Sequence, residues 1–178
     1  WHISDNRVRY CLLISKGCDM SDPIALFREL LEKAKEKNDF ATAMTLATVD
    51  PKTMMPRTRT VLLRRVTGSG ELEFFTNYNS AKAQNLDDNP QASVCFFWPE
   101  LYYQVVIEGA VHKNSRSTTE AYFASRGKAK QMASFTSNQS HPIESFDLFL
   151  AEFEKTKAKF EGQDVPCPEH WGGYHIVP

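Results

Sequence analysis

The sequence predicts an α+β protein centred on an antiparallel β-barrel, closed or nearly closed, with helices at its periphery. Three observations carry this expectation. Short runs rich in Val, Thr, Phe and Tyr recur between Ala43 and Lys113, separated by turn signals such as Asp50-Pro51-Lys52 and Thr67-Gly68-Ser69-Gly70; tight returns of this kind mark hairpin-connected strands. The longer helical periodicities flank that region. Closure would remove the edges that such apolar strands otherwise expose.

In chain order, Ser21 or Asp22 caps a first helix with Pro23 at its first position. Ile24, Phe27, Leu30, Leu31 and Ala34 follow at helical spacing, with Glu29 and Lys33 as an i,i+4 pair. Strands are predicted over Ala43–Val49, around Thr58–Arg65 and over Glu71–Thr76. Ser80 caps a short helix to about Asp88, ended by Asn89-Pro90. Two strands, Ala92–Trp98 and Tyr102–Lys113, are joined by Pro99-Glu100-Leu101. Residues 116 to 134 read as a helical pair broken near Gly127. Residues 143 to 160 carry Phe146, Phe149, Leu150, Phe153 and Phe160 as one apolar stripe, read as core. A final strand fits Tyr174–Val177.

At 178 residues, with no repeat, low-complexity tract or linker, one domain over 1–178 is expected. Lys+Arg of 21 against Asp+Glu of 22 gives a formal charge of −1, which argues against a nucleic-acid or membrane surface. No apolar run suits a bilayer span or a signal-peptide core, although a start at Trp1 leaves open a removed targeting segment. Cys11, Cys18, Cys95 and Cys167 form no C-x-x-C pair. They show no zinc spacing with the histidines either, so no metal is expected. Scattered thiols fit a reducing compartment, and a cytoplasmic location is expected.

The chemistry concentrates at strand ends. In Thr58-Arg59-Thr60-Val61-Leu62-Leu63-Arg64-Arg65, alternation places Thr58, Thr60, Leu62 and Arg64 on one face and Arg59, Val61, Leu63 and Arg65 on the other. Such a strand is either edge-protected by solvated charges or a pair of anion clamps. Phe75-Thr76-Asn77 followed by Ser80-Ala81-Lys82 sets a hydroxyl, an amide and a lysine at a strand-to-helix turn, suited to a phosphate or to a simple cap. Gln104, in an apolar strand, is either a buried structural bridge or a reader of a heterocycle edge. Ser137-Asn138-Gln139-Ser140 is a dense set of small polar groups, equally at home in a plain loop.

Taken together, these segments resemble the pyridoxamine 5'-phosphate oxidase family from about Arg7 to Pro178. The likeness runs through Arg7-Val8-Arg9-Tyr10, Asp22 to Phe27, Arg59 to Arg64, Phe75-Thr76-Asn77, Ser80-Ala81-Lys82, Gln104-Val105 with Glu108-Gly109, Tyr122 to Arg126, and Gln139-Ser140. Most specific is Val165-Pro166-Cys167-Pro168-Glu169-His170-Trp171-Gly172-Gly173-Tyr174. The resemblance implies a split β-barrel homodimer with FMN at the subunit interface. It implies FMN contacts from Arg59, Thr60, Val61, Leu62, Leu63, Arg64, Phe75, Thr76, Lys82, Gln104, Gln139, Ser140 and Trp171. The substrate phosphate would be held by Arg64, Tyr122, Arg126 and Lys130, with Arg7 and Tyr10 closing over the substrate.

The implied reaction oxidises pyridoxamine or pyridoxine 5'-phosphate to pyridoxal 5'-phosphate by hydride transfer to flavin N5, with O2 as acceptor. No side chain is assigned a catalytic role, because the cofactor carries the chemistry. Against the family pattern, Arg64 stands for lysine, Ala81 and Tyr103 for arginines, Gly127 for proline and Lys130 for serine. The family continues past this point with a strand and an Arg-x-His element, which the sequence to Pro178 is expected to lack, either because the chain is truncated there or because this member does without it. Two other readings stand beside the oxidase: an FMN oxidase of the same fold acting on another aromatic heterocycle, and a non-catalytic binder of FMN or pyridoxal phosphate.

Overall fold

The computed structural model describes residues 4–5, 8–12, 22–137 and 145–178, with residues 4–5 and 8–12 described as backbone only. The chain divides into two compact units. One comprises Trp1–Phe74, Asn85–His112 and Tyr174–Pro178; the other comprises Phe75–Gln84 and Lys113–Gly173.

The first unit is the barrel. Helix α1 (Pro23–Lys35) starts where the sequence places it, with Asp22 Oδ1 accepting from the amides of Ile24 and Ala25 at 2.9 and 3.0 Å. Leu26, Phe27, Leu30, Leu31 and Ala34 form its buried stripe. The strands are β1 (Ser4–Asp5), β2 (Val8–Leu12), β3 (Ala43–Val49), β4 (Pro56–Leu62), β5 (Arg65–Val66), β6 (Leu72–Asn77), β7 (Gln91–Trp98), β8 (Tyr103–Lys113) and β9 (Trp171–Val177). A 3₁₀ turn, Pro99–Leu101, joins β7 to β8, and Tyr102 closes it in the left-handed region at φ 59°.

The main sheet runs in the order β4-β3-β7-β8-β9-β6-β5, with β2 pairing β8 and β1 pairing β2. Two residues separate β4 from β5, yet these strands lie at opposite ends of that order. Leu63 N donates to Thr42 O and Arg64 N to Glu73 O, both at 2.8 Å, so the chain changes neighbours within one step. That step draws the two sheet edges together and curls the sheet into a split antiparallel barrel with peripheral helices, in the α+β class. The same step corrects the expected arginine strand: pairing with β3 ends at Leu62, and Arg65 already pairs with Glu73 of β6.

Alternation fixes the barrel core. Met44, Leu46, Val94, Phe96, Val105 and Ile107 point inward and are buried, as are Leu72, Phe74 and Ile176. Phe27 of α1 packs on Phe96 and Trp98 at ring-centroid separations of 5.1 and 6.1 Å. Full burial of such a ring stabilises by roughly 1.5–3 kcal/mol. Trp98 Nε1 donates to Ala41 O at 2.9 Å, which keeps its one polar atom satisfied. Gly109 is needed for close approach, because a Cβ there would lie 2.0 Å from the carbonyl oxygen of Val177.

The second unit contains the start of α2 (Ala81–Asp88), α3 (Arg116–Ser125), α4 (Lys128–Thr136) and α5 (Phe146–Lys159). Ser115 and Ser145 cap α3 and α5 by accepting from Thr118 N and Leu148 N. The predicted break at Gly127 is the boundary between α3 and α4. Phe123, Met132, Phe160, Val165 and Trp171 form the core of this unit, with Phe75, Tyr122, Phe135, Phe153 and Cys167 packed against it. Gly172 and Gly173 allow side chains to cross their strand: a Cβ on Gly172 would meet the Tyr78 hydroxyl at 2.1 Å, and one on Gly173 would meet Phe75 at 2.7 Å.

Helix α5 departs from its reading as core. Phe160, just past its end, is buried and Phe153 is packed, but Phe146 is 65% exposed and Leu150 44%. Periodicity reports which residues share a face; it does not report how far the neighbours extend along that face. Strands β1 and β2, of two and five residues, are additions to the predicted elements, and β9 begins three residues before the expected Tyr174.

Candidate functional site

The polar centre of the second unit is Lys82. Its side chain is 7% exposed, and its Nζ donates to Thr76 Oγ1 at 3.0 Å and Ser80 Oγ at 3.1 Å. Ser80 and Thr76 are themselves buried. Ser80 immediately precedes α2, and its carbonyl accepts from Ala83 N and Gln84 N. An ammonium held among hydroxyls beside the first turn of a helix is a chemical match for a phosphate. The hydroxyls donate and accept, the ammonium supplies charge, and the N-terminal end of a helix favours an anion. Asn77 secures the same corner, donating through Nδ2 to Ser137 O at 3.2 Å and accepting from Asn79 N at 2.7 Å.

Thr76 also lines a cavity of about 380 Å3 whose walls include Arg126, Lys130, Ser134, Phe149 and Trp171. Arg126 is half-buried. Its Nη1 donates to Ser134 Oγ at 2.7 Å, and its guanidinium carbon lies 4.8 Å from the Trp171 ring centroid. Trp171 lies nearly parallel to Phe75 (5.3 Å, 15°), and Phe75 to Tyr122 (4.0 Å, 22°). Lys130 is exposed at the cavity wall. The cavity therefore offers an aromatic floor and two cations, features that suit an anionic, planar ligand.

Phe75, Thr76, Arg126, Lys130 and Trp171, predicted from scattered segments, are thus brought together around this cavity, with Tyr122 stacked on Phe75 and Lys82 bonded to Thr76 of its wall. The predicted residues of the barrel unit behave differently. Arg59 turns onto its own sheet, donating through Nη1 to Thr48 Oγ1 at 2.8 Å and Leu46 O at 3.2 Å. Burial first, and then the Arg57 charge, lower its pKa from the usual guanidinium value. Val61 and Leu63 are buried, Thr60 is exposed, and Leu62 is 37% exposed. Arg64 is exposed beside Arg28 and Arg65 in a second cavity of about 420 Å3. Arg65 forms a forked pair with Glu73 (2.8 and 2.9 Å), and that hydrogen-bonded carboxylate raises its pKa.

Gln104 was expected to be buried and is exposed, paired across the sheet with Phe97 of β7. Its strand alternates, so the apolar neighbours Val105 and Ile107 point the other way. Arg7, Gln139, Ser140 and the Tyr10 side chain lie outside the described residues. Among the described residues, no cluster of three or more His, Cys, Asp or Glu could hold a metal ion, and no helix is long and apolar enough to cross a membrane.

Sequence reasoning missed Ser134 and Phe149. Lys130 and Ser134 lie at i and i+4 on α4, with Ser137 at its C-terminal cap, a spacing that puts the first two on one face with Arg126's loop at its head. That signal was available. Phe149 carried none, because a cavity wall and a core position look alike in an apolar stripe.

A family model described as pyridoxamine 5'-phosphate oxidase matches residues 30–160. The pyridoxine/pyridoxamine 5'-phosphate oxidase of Alteromonas mediterranea is 43% identical over 178 residues, covering 99% of this chain and 83% of the relative. The chain belongs to the pyridoxamine 5'-phosphate oxidase family. Within that family, pyridoxine/pyridoxamine 5'-phosphate oxidase 1 of Hydrogenovibrio crunogenus is 42% identical over 159 residues, covering 89% of this chain and 72% of its own length. Two solved structures share the fold. PhzG from Burkholderia lata, solved with tetrahydrophenazine-1-carboxylic acid, superposes with a TM-score of 0.81 at 23% identity, covering 89% of this chain and 77% of PhzG. A pyridoxamine 5'-phosphate oxidase-related, FMN-binding protein from Nostoc punctiforme gives 0.70 at 18% identity, covering 86% and 78%.

Proposed function

We propose that this family member is an FMN-dependent oxidase that converts pyridoxamine 5'-phosphate and pyridoxine 5'-phosphate to pyridoxal 5'-phosphate, with O2 as acceptor. One observation carries the reading: Thr76 joins two anion-suited seats, the buried Lys82 cradle and the cavity holding Arg126 over Trp171. A substrate and a cofactor that each end in a phosphate call for two such seats.

The residues present fit FMN at the first seat. Lys82, Thr76 and Ser80 would hold its phosphate, and Phe75 and Trp171 offer aromatic surface. When bound, FMN supplies a hydride acceptor that oxygen can reoxidise. The chain's own residues do the remaining work. Arg126, with Lys130 and Tyr122, would anchor the substrate phosphate away from the reacting carbon, and a remote ionic handle converts binding energy into orientation. The stacked Phe75, Tyr122 and Trp171 rings keep water from that side of the cavity.

A homodimer is part of the proposal. The outward face of β3, β4, β7 and β8 presents Leu62, Thr45, Thr60, the half-buried Cys95 and the 59%-exposed Phe97, with the Gln104 amide opposite Phe97, a surface of small, apolar and uncharged groups that suits a second copy.

A second reading, an oxidase of this fold acting on another anionic aromatic heterocycle, draws on Lys130, whose charge beside Arg126 suits a carboxylate as well as a phosphate. Oxygen uptake by the FMN-loaded protein separates the two. Pyridoxamine 5'-phosphate should drive uptake and peroxide formation; a yellow protein silent with that compound would favour the second reading.

A further inference from the structure

Arg126 sits at the mouth of the α3–α4 turn, followed by Gly127, which has no side chain to pack and open space where a Cβ would stand, although its carbonyl accepts from Lys130 N and Gln131 N. A guanidinium on such a turn needs another means of holding its aim. Helix α4 supplies it twice. Gln131 Nε2 lies 3.0, 3.2 and 2.9 Å from the carbonyl oxygens of Phe123, Ala124 and Arg126, so one amide ties down the end of α3 and the backbone of Arg126 itself. One turn further on, Ser134 Oγ accepts from Arg126 Nη1 at 2.7 Å. Ser134 lines the cavity, and the guanidinium it holds lies over the Trp171 ring.

We infer that Gln131 and Ser134 are positioning residues that fix Arg126 over Trp171, setting this chain's selectivity for a phosphorylated over an unphosphorylated ligand. The inference rests on the reading of Arg126 as the substrate-phosphate handle. A free arginine side chain has several rotatable bonds to immobilise when an anion arrives, and fixing it beforehand removes that entropy loss from the binding step. The serine hydroxyl suits this role because it is neutral: a carboxylate in its place would hold the guanidinium equally well but oppose the anion. Gln131 acts on the backbone and Ser134 on the side chain, so both ends of Arg126 are constrained from one rigid helix.

The test uses the FMN-loaded protein and two unreactive probes, 4-deoxypyridoxine 5'-phosphate and its unphosphorylated parent, titrated calorimetrically. The wild type should prefer the phosphorylated probe. Ser134→Ala should lower that preference about fivefold to tenfold through weaker binding of the phosphorylated probe alone. Ser134→Thr, which keeps the hydroxyl, should restore it. Gln131→Met, which keeps the side-chain length, should lose preference in the same direction and also lower the melting temperature. In oxygen uptake, Ser134→Ala should raise KM and leave kcat near wild type. If the wild type prefers the phosphorylated probe and Ser134→Ala keeps the full preference, or weakens both probes equally, the positioning role is overturned while the phosphate handle stands. If the wild type shows no preference, the handle itself is wrong and the inference falls with it.

Discussion

In the barrel unit, the arginines of Thr58–Arg65 are conspicuous in sequence, yet Arg59 is spent on a sheet carbonyl and a threonine hydroxyl, and Arg65 on a buried carboxylate. In the helical unit, Lys82 is a single cation in its segment and Arg126 is followed by Lys128 and Lys130, and Lys82 and Arg126 are each seated among hydroxyls or over an aromatic ring. The difference teaches that the partners a cation already has, more than its local density in the sequence, decide whether it reads as a strut or as an anion seat. An arginine committed to carbonyl and hydroxyl oxygens of its own sheet holds strands together. A lysine lodged between two hydroxyls keeps surroundings that a phosphate can share.

That contrast can be attacked by substitution, beginning with the largest expected effect. Lys82→Met keeps the buried aliphatic volume and removes the charge; it should weaken FMN binding by about a hundredfold, measured by quenching of flavin fluorescence. Retention of FMN at wild-type affinity would move the phosphate seat elsewhere. Arg126→Ala should raise KM for pyridoxamine 5'-phosphate by roughly ten- to a hundredfold with FMN occupancy nearly intact. Equal losses of substrate and FMN would show that the two seats are not separable.

Arg59→Leu addresses the other side of the comparison. It should destabilise the fold by about 1–2 kcal/mol, seen in denaturant unfolding, because Thr48 Oγ1 and Leu46 O lose a charged donor in a half-buried position. If instead stability held and FMN binding collapsed, the strand arginine would be an anion ligand and the contrast would reverse.

The smallest effect concerns Cys167, packed against the Trp171 cluster, whose thiol pKa is pushed up mainly by burial. A folded-state pKa above the unfolded one means stability that is present below the ordinary thiol range and lost as pH rises through the folded value. Alkylation of Cys167 near pH 8, followed by peptide mass spectrometry, should therefore run slower in the folded than in the unfolded protein, the gap narrowing as pH rises. Equal rates at pH 8 would mean that the thiol is not shielded.

Much of the barrel was legible because alternation and turn chemistry are local. Ala43–Val49 is the strand the sequence marks, and Asp22-Pro23 opens α1 where capping rules put it. The change of neighbours at Leu63-Arg64 was not legible, since it depends on Thr42 and Glu73 meeting from distant segments. The site residues were named through family resemblance rather than through physics, and their grouping needed the fold: Phe75 and Trp171 lie almost a hundred positions apart. Ser134 could have been found from helical spacing once Arg126 was chosen. The exposure of Phe146 and Gln104 could not, because a strand or helix pattern does not say which of its faces the neighbours cover.

The most direct measurement of the central claim is an anaerobic titration of the FMN-loaded protein with pyridoxamine 5'-phosphate, followed by absorbance. Joined anion seats for cofactor and substrate predict bleaching of the oxidised flavin by this compound, with unphosphorylated pyridoxamine far weaker. A flavin that stays yellow under saturating pyridoxamine 5'-phosphate, or that bleaches equally well with pyridoxamine, would contradict the account.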